Sequence, residues 1–464
     1  MNKRGGSLGF VVGVTSVAAL GGLLFGYDTA VISGAIGFLK DHFDLNPTMK
    51  GWTASSALVG CIVGVGAASF WNLSDRFGRK RTLILAAIFF LVSAIGTAIP
   101  RTLTEFIIFR IVGGFGVGIA SMTSPVYIAE ISPAKIRGRL VSLNQLAVVS
   151  GMLVVYFVNY FIARQGDVAW NQTIGWRWMF GSEALPATLL LLLMFVVPES
   201  PRWLTKQGRE EEALRILTRI NGADRAEQEL AEIHRVIHHE GGTLSPLRSF
   251  DLFRPDLRKI MMIGITLAVL QQVTGINVVL YYAPEIFKSM GTSTNAALLQ
   301  TVVVGAVNLI FTFVAIWSID KIGRKPLLLI GATGMGIGMF VIGFAAYFEN
   351  TGIWVLGFIL IYIASFAMAL GPVVWVLLSE IFPIRIRGQA MAIVTLALWI
   401  ACFTISQTFP MLHDNRCLVE HFHHGFSFWL YGVMCVLTII FVIRFVPETK
   451  GKSLEEIEQI WGSR

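Results

Sequence analysis

Asp75-Arg-Phe-Gly-Arg-Lys80 and Asp320-Lys-Ile-Gly-Arg-Lys325 are two copies of one charged hexapeptide, 245 residues apart, each interrupting a long apolar run. Two further motifs recur at nearly the same offset. Glu130-Ile-Ser-Pro-Ala-Lys-Ile-Arg-Gly138 returns as Glu380-Ile-Phe-Pro-Ile-Arg-Ile-Arg-Gly388, 250 residues on, and Pro198-Glu-Ser200 returns as Pro447-Glu-Thr449, 249 residues on. Three unrelated motifs in register are the mark of an internal duplication, so the fold can be read on one half and checked on the other.

What lies between the motifs is apolar. Of 464 residues 55% are hydrophobic and 14% are charged, against a charged share of about 25% in soluble proteins. A spanning helix needs roughly 20 apolar residues to cross a hydrocarbon core of about 30 Å. Such runs fall near 9–37, 51–72, 82–100, 104–126, 139–162, 175–197, 258–289, 297–319, 326–347, 352–382, 388–412 and 423–446. The expected fold is an all-α polytopic membrane protein: a six-helix bundle over 1–197, a helical linker over 198–257, a second bundle over 258–446 and a tail over 447–464. The first run follows Lys3 and Arg4, contains Asp28 and lacks a small-residue cleavage site, so it should stay as a helix.

The net charge of +8 sits in alternate short loops: Arg76, Arg79, Lys80 and Arg81 after the second run, and Lys135, Arg137 and Arg139 after the fourth. That pattern orients a membrane protein and places both termini in the cytoplasm; it does not indicate nucleic acid. Cys61, Cys402 and Cys435 lie inside apolar runs and Cys417 in an outer loop, which gives no disulfide or metal framework.

Ionisable groups in hydrocarbon cost roughly 2.5 to 3.5 kcal/mol each on insertion scales. Asp28, Arg110 and Glu183 stand deepest. Counted from the outer ends of their runs, Asp28 and Arg110 differ in depth by about 4 Å and can pair. Such a pair is either a static bridge or a site whose proton occupancy follows its geometry. Glu183, just before Pro186, either relays a proton or balances Arg110.

The paired Asp-Arg-x-Gly-Arg-Lys loops, Pro198-Glu-Ser-Pro-Arg-Trp203, Gln271-Gln-x-x-Gly-x-Asn277 and Pro447-Glu-Thr-Lys450 resemble the sugar porter family of the major facilitator superfamily, over essentially the whole chain. Gly21–Gly34 and Gly275–Pro284 look most like the bacterial D-xylose/proton symporters. The resemblance implies proton-coupled import of a monosaccharide across the inner membrane by alternating access. It implies Asp28 as the protonated group, with Arg110 as partner.

A sugar offers hydroxyls and a C–H face, so its site needs amides and aromatic platforms. Gln271, Gln272, Asn277, Tyr281 and Tyr282 crowd the seventh span, and Gly275 offers a break that could aim them together. The alternative is amides gluing helix to helix. The resemblance places sugar contacts at Gln145, Gln271, Gln272, Asn277 and Trp375, and also at Phe25, Tyr281, Asn308, Gly371 and Trp399. Leu398 and Met152 stand where those symporters carry glutamine, which leaves hexoses such as glucose open as substrates.

Asp75, Arg79, Glu130, Arg137, Glu199, Arg324, Glu380 and Arg387 are orientation charges that also resemble an inner network tying the halves shut. The glycine runs at 113–118 and 331–338 follow no strand and read as close helix packing. His421, His423 and His424 read as a solvated loop, and Asn171-Gln-Thr173 matches a glycosylation sequon. No nucleophile triad, phosphate loop or metal-ligand spacing appears. The chain is expected to need no cofactor or metal, to be no enzyme, and to act as a monomer in the lipid bilayer on a sugar and a proton. Its rivals are a facilitative uniporter and a non-transporting sugar sensor.

Overall fold

A computed structural model describes residues 7–133, 136–243, 255–350, 352–383 and 386–450. Among them, twelve helices are long and apolar enough to cross a membrane: α1 (Leu8–Phe43), α2 (Pro47–Ser69), α3 (Arg79–Ala98), α4 (Leu103–Ile131), α5 (Arg137–Ala163), α6 (Val168–Val196), α7 (Leu257–Ser289), α8 (Thr294–Ile319), α9 (Arg324–Tyr347), α10 (Ile353–Ile381), α11 (Arg387–His413) and α12 (Gly425–Phe445). Their starts are written in the sequence. Asn46 accepts the Met49 N–H just ahead of Pro47, and Thr102 and Glu105 cap α4 from both sides. Gly78 and Gly323, at φ +90° and +106°, turn the chain into α3 and α9.

The helices form two bundles of six. Within the first, α1 packs on α5 and α4, and α2 and α3 pack on α4. In the second, α9 packs on α12 and α10, and the first part of α7 on α11. The bundles meet where α2 lies on α11 and α5 on α8, two contacts exchanged by the repeat. Apolar tails give no hydrophobic drive between helices in lipid, so close backbone approach has to supply it. A Cβ on Gly26 would run into the Val148 carbonyl of α5, and one on Gly114 into the Ala57 carbonyl of α2.

Two spans are broken. Gly275, at φ +94°, splits α7 between Val273 and Ile276, where the sequence offered a break. Phe366–Leu370 opens into a wide π turn in α10. The breaks hold one another: Gln271 Nε2 donates to the carbonyls of Leu370 (2.7 Å) and Gly371 (3.2 Å), and the Tyr362 hydroxyl donates to the Thr274 carbonyl (3.0 Å).

Between the bundles run the helices Pro201–Lys206, Glu210–Asn221 and Ala223–Thr243. They are tied back by Trp203 Nε1 to the Asp75 carbonyl (2.8 Å) and by Ser7 N to the Arg219 carbonyl (2.9 Å). Helix α1 extends to Phe43, past its expected end at 37, because Phe38 and Leu39 are still buried and Lys40 and His42 suit a helix C-terminus. Asn171 is buried, its amide spent on the Ala163 and Asp167 carbonyls, so the sequon is no acceptor in this fold.

Overpacking a close crossing costs about 1 to 3 kcal/mol. Gly26→Ala should therefore lower the thermal midpoint of the detergent-solubilised protein. Gly13→Ala, on the same helix with nothing within 4 Å of the added methyl, should not; equal midpoints would refute the crossing.

Candidate functional site

Asp28, Arg110 and Glu183 are buried to 1% exposure or less. Arg110 Nη1 donates to Asp28 Oδ1 at 2.9 Å and to the Asp28 carbonyl at 3.0 Å, joining α4 to α1. The Glu183 carboxyl lies against that of Asp28. Beside them the Tyr27 hydroxyl meets Ser182 Oγ at 2.8 Å, pinning α6 to α1. Asp28 Oδ2, both Glu183 oxygens and Arg110 Nε have no hydrogen-bond partner. Two carboxylates against one guanidinium leave a net negative charge, and uncompensated buried charge costs several kcal/mol. One proton shared between the carboxyls removes it. The trio can therefore hold and release a proton.

The amides of α7 form a chain. Gln271 Oε1 accepts from Gln272 Nε2 (3.3 Å), Gln272 Oε1 accepts from Asn277 Nδ2 (2.5 Å), and Asn277 Nδ2 also reaches Cys402 Sγ on α11 (3.1 Å). The Tyr281 hydroxyl reaches the same thiol. Tyr282 points elsewhere, to the Ser406 carbonyl at 2.9 Å. Phe25 of α1 meets Trp399 of α11 with ring centroids 5.6 Å apart, so the bundles touch next to the amides. Gly371 contributes its carbonyl to Gln271. Gln145 and Trp375 are half-buried on α5 and α10, and Asn308 is buried on α8. No contact joins these three to the amide chain among those described. A cavity of 260 Å³ opens along Ser16, Leu20 and Leu23 of α1 and Leu143, Leu146 and Ser150 of α5, toward the face that carries the repeated motifs.

On that face the motifs assemble twice. Arg79 pairs with Glu130 and Asp75, both at 2.9 Å, and Arg324 pairs with Glu380 at 2.8 Å. Ser200 Oγ donates to Glu130, and Thr449 Oγ1 to Glu380, each at 2.5 Å. Glu199 accepts the N–H groups of Arg79 and Lys80, and Glu448 those of Arg324 and Lys325. Arg137 and Arg387 donate to the Ser132 and Phe382 carbonyls. Each of these bonds joins motifs of one bundle. Burial pushes the Glu199 carboxyl above the usual range despite its N–H donors. Burial pushes the less enclosed Glu448 the same way, but its backbone N–H donors outweigh it and hold that carboxyl below.

At the opposite face, Lys50 Nζ of α2 meets Glu285 of α7 at 3.2 Å and Asp414, beyond α11, at 3.9 Å. Gln407 of α11 accepts from Ser55 Oγ (2.9 Å) and donates to the Thr48 carbonyl (3.0 Å). Sequence reasoning missed this seam, along with Cys402. Lys50 looked like a loop charge, and nothing local ties it to a carboxylate 235 residues away.

Residues 14–461 match the model of a family described as sugar (and other) transporter. The chain belongs to that family. It is 50% identical to the D-xylose-proton symporter of Escherichia coli K12, over 97% of this chain and 96% of that one. It is 47% identical to the arabinose-proton symporter of Bacillus subtilis, over 99% and 96%. The inward-open structure of the xylose transporter XylE from E. coli superposes with a TM-score of 0.85 at 47% identity, over 97% of this chain and 100% of that one. The structure of the proton:xylose symporter XylE bound to 6-bromo-6-deoxy-D-glucose does so at 0.80 and 49%, over 98% and 99%. This transporter is thus a multi-pass membrane protein, not a member of an enzyme family.

The contrast between Glu199 and Glu448 is testable. A carboxyl held low in the fold adds stability above its unfolded pKa of about 4.3 and loses it as pH falls through the folded value. Glu448→Gln should lower the thermal midpoint at pH 7, and the gap to the parent should narrow toward pH 4. A gap that does not change with pH would show that the carboxylate charge contributes nothing.

Proposed function

We propose that this protein imports a monosaccharide, D-xylose first among candidates, together with a proton by alternating access. The carrying observation is the buried Asp28, Arg110 and Glu183 trio with its unpartnered carboxylate oxygens, in a chain half identical to a D-xylose-proton symporter. A neutral sugar needs no such group to bind, whereas proton coupling does.

The basic loops favour a cytoplasmic motif face and cytoplasmic termini, at a bacterial inner membrane. The pairs formed by Lys50 and by Gln407 then close the outer side, and the cavity along α1 and α5 opens inward. The similarity to the inward-open XylE structure supports the same state. The halves 1–197 and 258–446 rock about the contacts of α2 with α11 and of α5 with α8, and 198–257 joins them. Gln145, Gln271, Gln272, Asn277 and Trp375, with Phe25, Tyr281, Asn308, Gly371 and Trp399, form the sugar site. The bonds of Asp75, Arg79, Glu130, Arg137, Glu199, Arg324, Glu380 and Arg387 then rearrange as the inner side closes. Coupling runs along α1: Asp28 lies one turn from Phe25, which touches Trp399. Protonation loosens the hold of Arg110 on Asp28 and frees α1 to move against α11.

Uptake of labelled D-xylose into proteoliposomes with and without an inward proton gradient tests this reading. The parent should accumulate sugar, and Asp28→Asn should lose accumulation while keeping exchange. Accumulation indifferent to the gradient would make the protein a uniporter.

Leu398 is buried beside Trp399. A regained hydrogen bond contributes about 0.5 to 1.5 kcal/mol. Leu398→Gln should tighten D-xylose binding on the order of threefold to tenfold, read by competition against glucose; preserved selectivity would remove position 398 from the site.

A further inference from the structure

At the face closed by Lys50, a cavity of 290 Å³ is lined by Lys40, Lys50, Glu285, Lys288, His413, Asp414 and His424, of which the two histidines have no part in the proposed transport cycle. One ligand atom from each of His413, Asp414 and His424 lies within 4.8 Å of the other two. The set spans the end of α11 and the start of α12, joined by the short helix Arg416–Phe422. We propose that His413, Asp414 and His424 bind a divalent transition-metal ion of the zinc class.

Three features support the site. His413 is 8% exposed, and its Nδ1 is buried without a hydrogen-bond partner, which is costly unless something takes that lone pair or proton. His424 Nδ1 lies 2.8 Å from the His413 carbonyl. A carbonyl only accepts, so Nδ1 carries the proton and the lone pair rests on Nε2, the arrangement in which a backbone carbonyl orients a metal-binding imidazole. The two rings lie 4.6 Å apart, with His413 stacked on Phe409 at 5.0 Å, so one ligand is already fixed.

Zinc bonds of about 2.1 Å in a tetrahedron put ligand atoms about 3.4 Å apart. Closing the triangle asks for a shift of about an ångström, and the half-buried His424 and Asp414 can supply it. The fourth position is left to water or to Glu285, whose carboxylate faces the same cavity.

The surrounding charges select the ion. Lys40, Lys50 and Lys288 outnumber Glu285 and Asp414, so a hard cation seeking oxygen ligands is repelled without compensation. A borderline ion with two imidazole bonds is compensated. Metal held by Asp414 displaces Lys50 from it and leaves Lys50 on Glu285 alone. The neighbouring His421 and His423 stand outside this cluster: His421 Nδ1 bonds the Cys417 carbonyl of its own short helix at 2.9 Å, and His423 lies 3.0 Å from Glu349.

Tag-free, chelator-treated full-length protein in detergent should be titrated with zinc against a colorimetric indicator at pH 7.5. The expected result is one zinc per chain, weakened at least about tenfold in His424→Gln and in Asp414→Asn, and unchanged in His421→Gln. His413→Ala risks unfolding, so the test rests on the two half-buried ligands, with thermal midpoints confirming that they fold. The proposal falls if the parent binds no zinc, if both variants bind like the parent, or if His421→Gln alone abolishes binding.

Discussion

A guanidinium keeps its charge in proteins, and that of Arg110 is buried, so the first bundle is organised around it. Its charge is met by Asp28 on α1 and, through Asp28, by Glu183 on α6. Three helices distant in sequence are thereby fixed at one depth. Arg110 also lies over the Phe180 ring at 5.4 Å, a face that suits a desolvated cation. Remove Arg110 and two carboxyls are left facing each other in hydrocarbon. Remove Asp28 and the cation is unpaired. A small change in the distance from Arg110 to Asp28 is therefore expensive at fixed protonation and cheap when a proton moves with it, which is the physical content of coupling.

Among the described residues the second bundle holds no such trio, and the duplication shows what stands in its place. At the offset of 245 to 250 residues, Asp28 corresponds to positions 273–278, where α7 breaks at Gly275. One half answers the need for a mobile centre with charge on a continuous helix. The other answers it with an interrupted helix: Tyr362 donates to its loose Thr274 carbonyl, and its own Gln271 donates to the Leu370 carbonyl of α10. The motif face kept the symmetry that the interior lost. Among the described residues the two copies differ in how far burial of Glu199 and of Glu448 outweighs their backbone N–H donors.

How much could be read beforehand follows from how local each signal is. Spans, motif repeats and the break at Gly275 are written in composition and in single residues, and they agree with the structure to within a helical turn or two. The approach of Asp28 to Arg110 was legible because depth in a membrane is a one-dimensional count. Lateral contacts carry no such count. Cys402 beside Asn277, and Lys50 between Glu285 and Asp414, depend on how α2, α7 and α11 pack. The wide turn of α10 had a neighbouring Gly371-Pro372, but nothing in the sequence said that Gln271 would bond it.

That bond bears on how a sugar could be sensed. One amide group of Gln271 is spent on the Leu370 and Gly371 carbonyls, and its oxygen on Gln272. In the proposed site a hydroxyl ligand would meet these amides already bonded to one another, and would have to exchange with bonds that hold the breaks of α7 and α10 together. Each exchange is nearly neutral in energy, since one hydrogen bond replaces another. Its mechanical effect is not neutral, because the bonds released tie the first part of α7 to the wide turn of α10. In that site, a sugar that satisfied the amides would loosen the segment beyond Gly275, which carries Glu285 and its hold on Lys50. Gluing the helices and binding the ligand would then be two states of one set of amides.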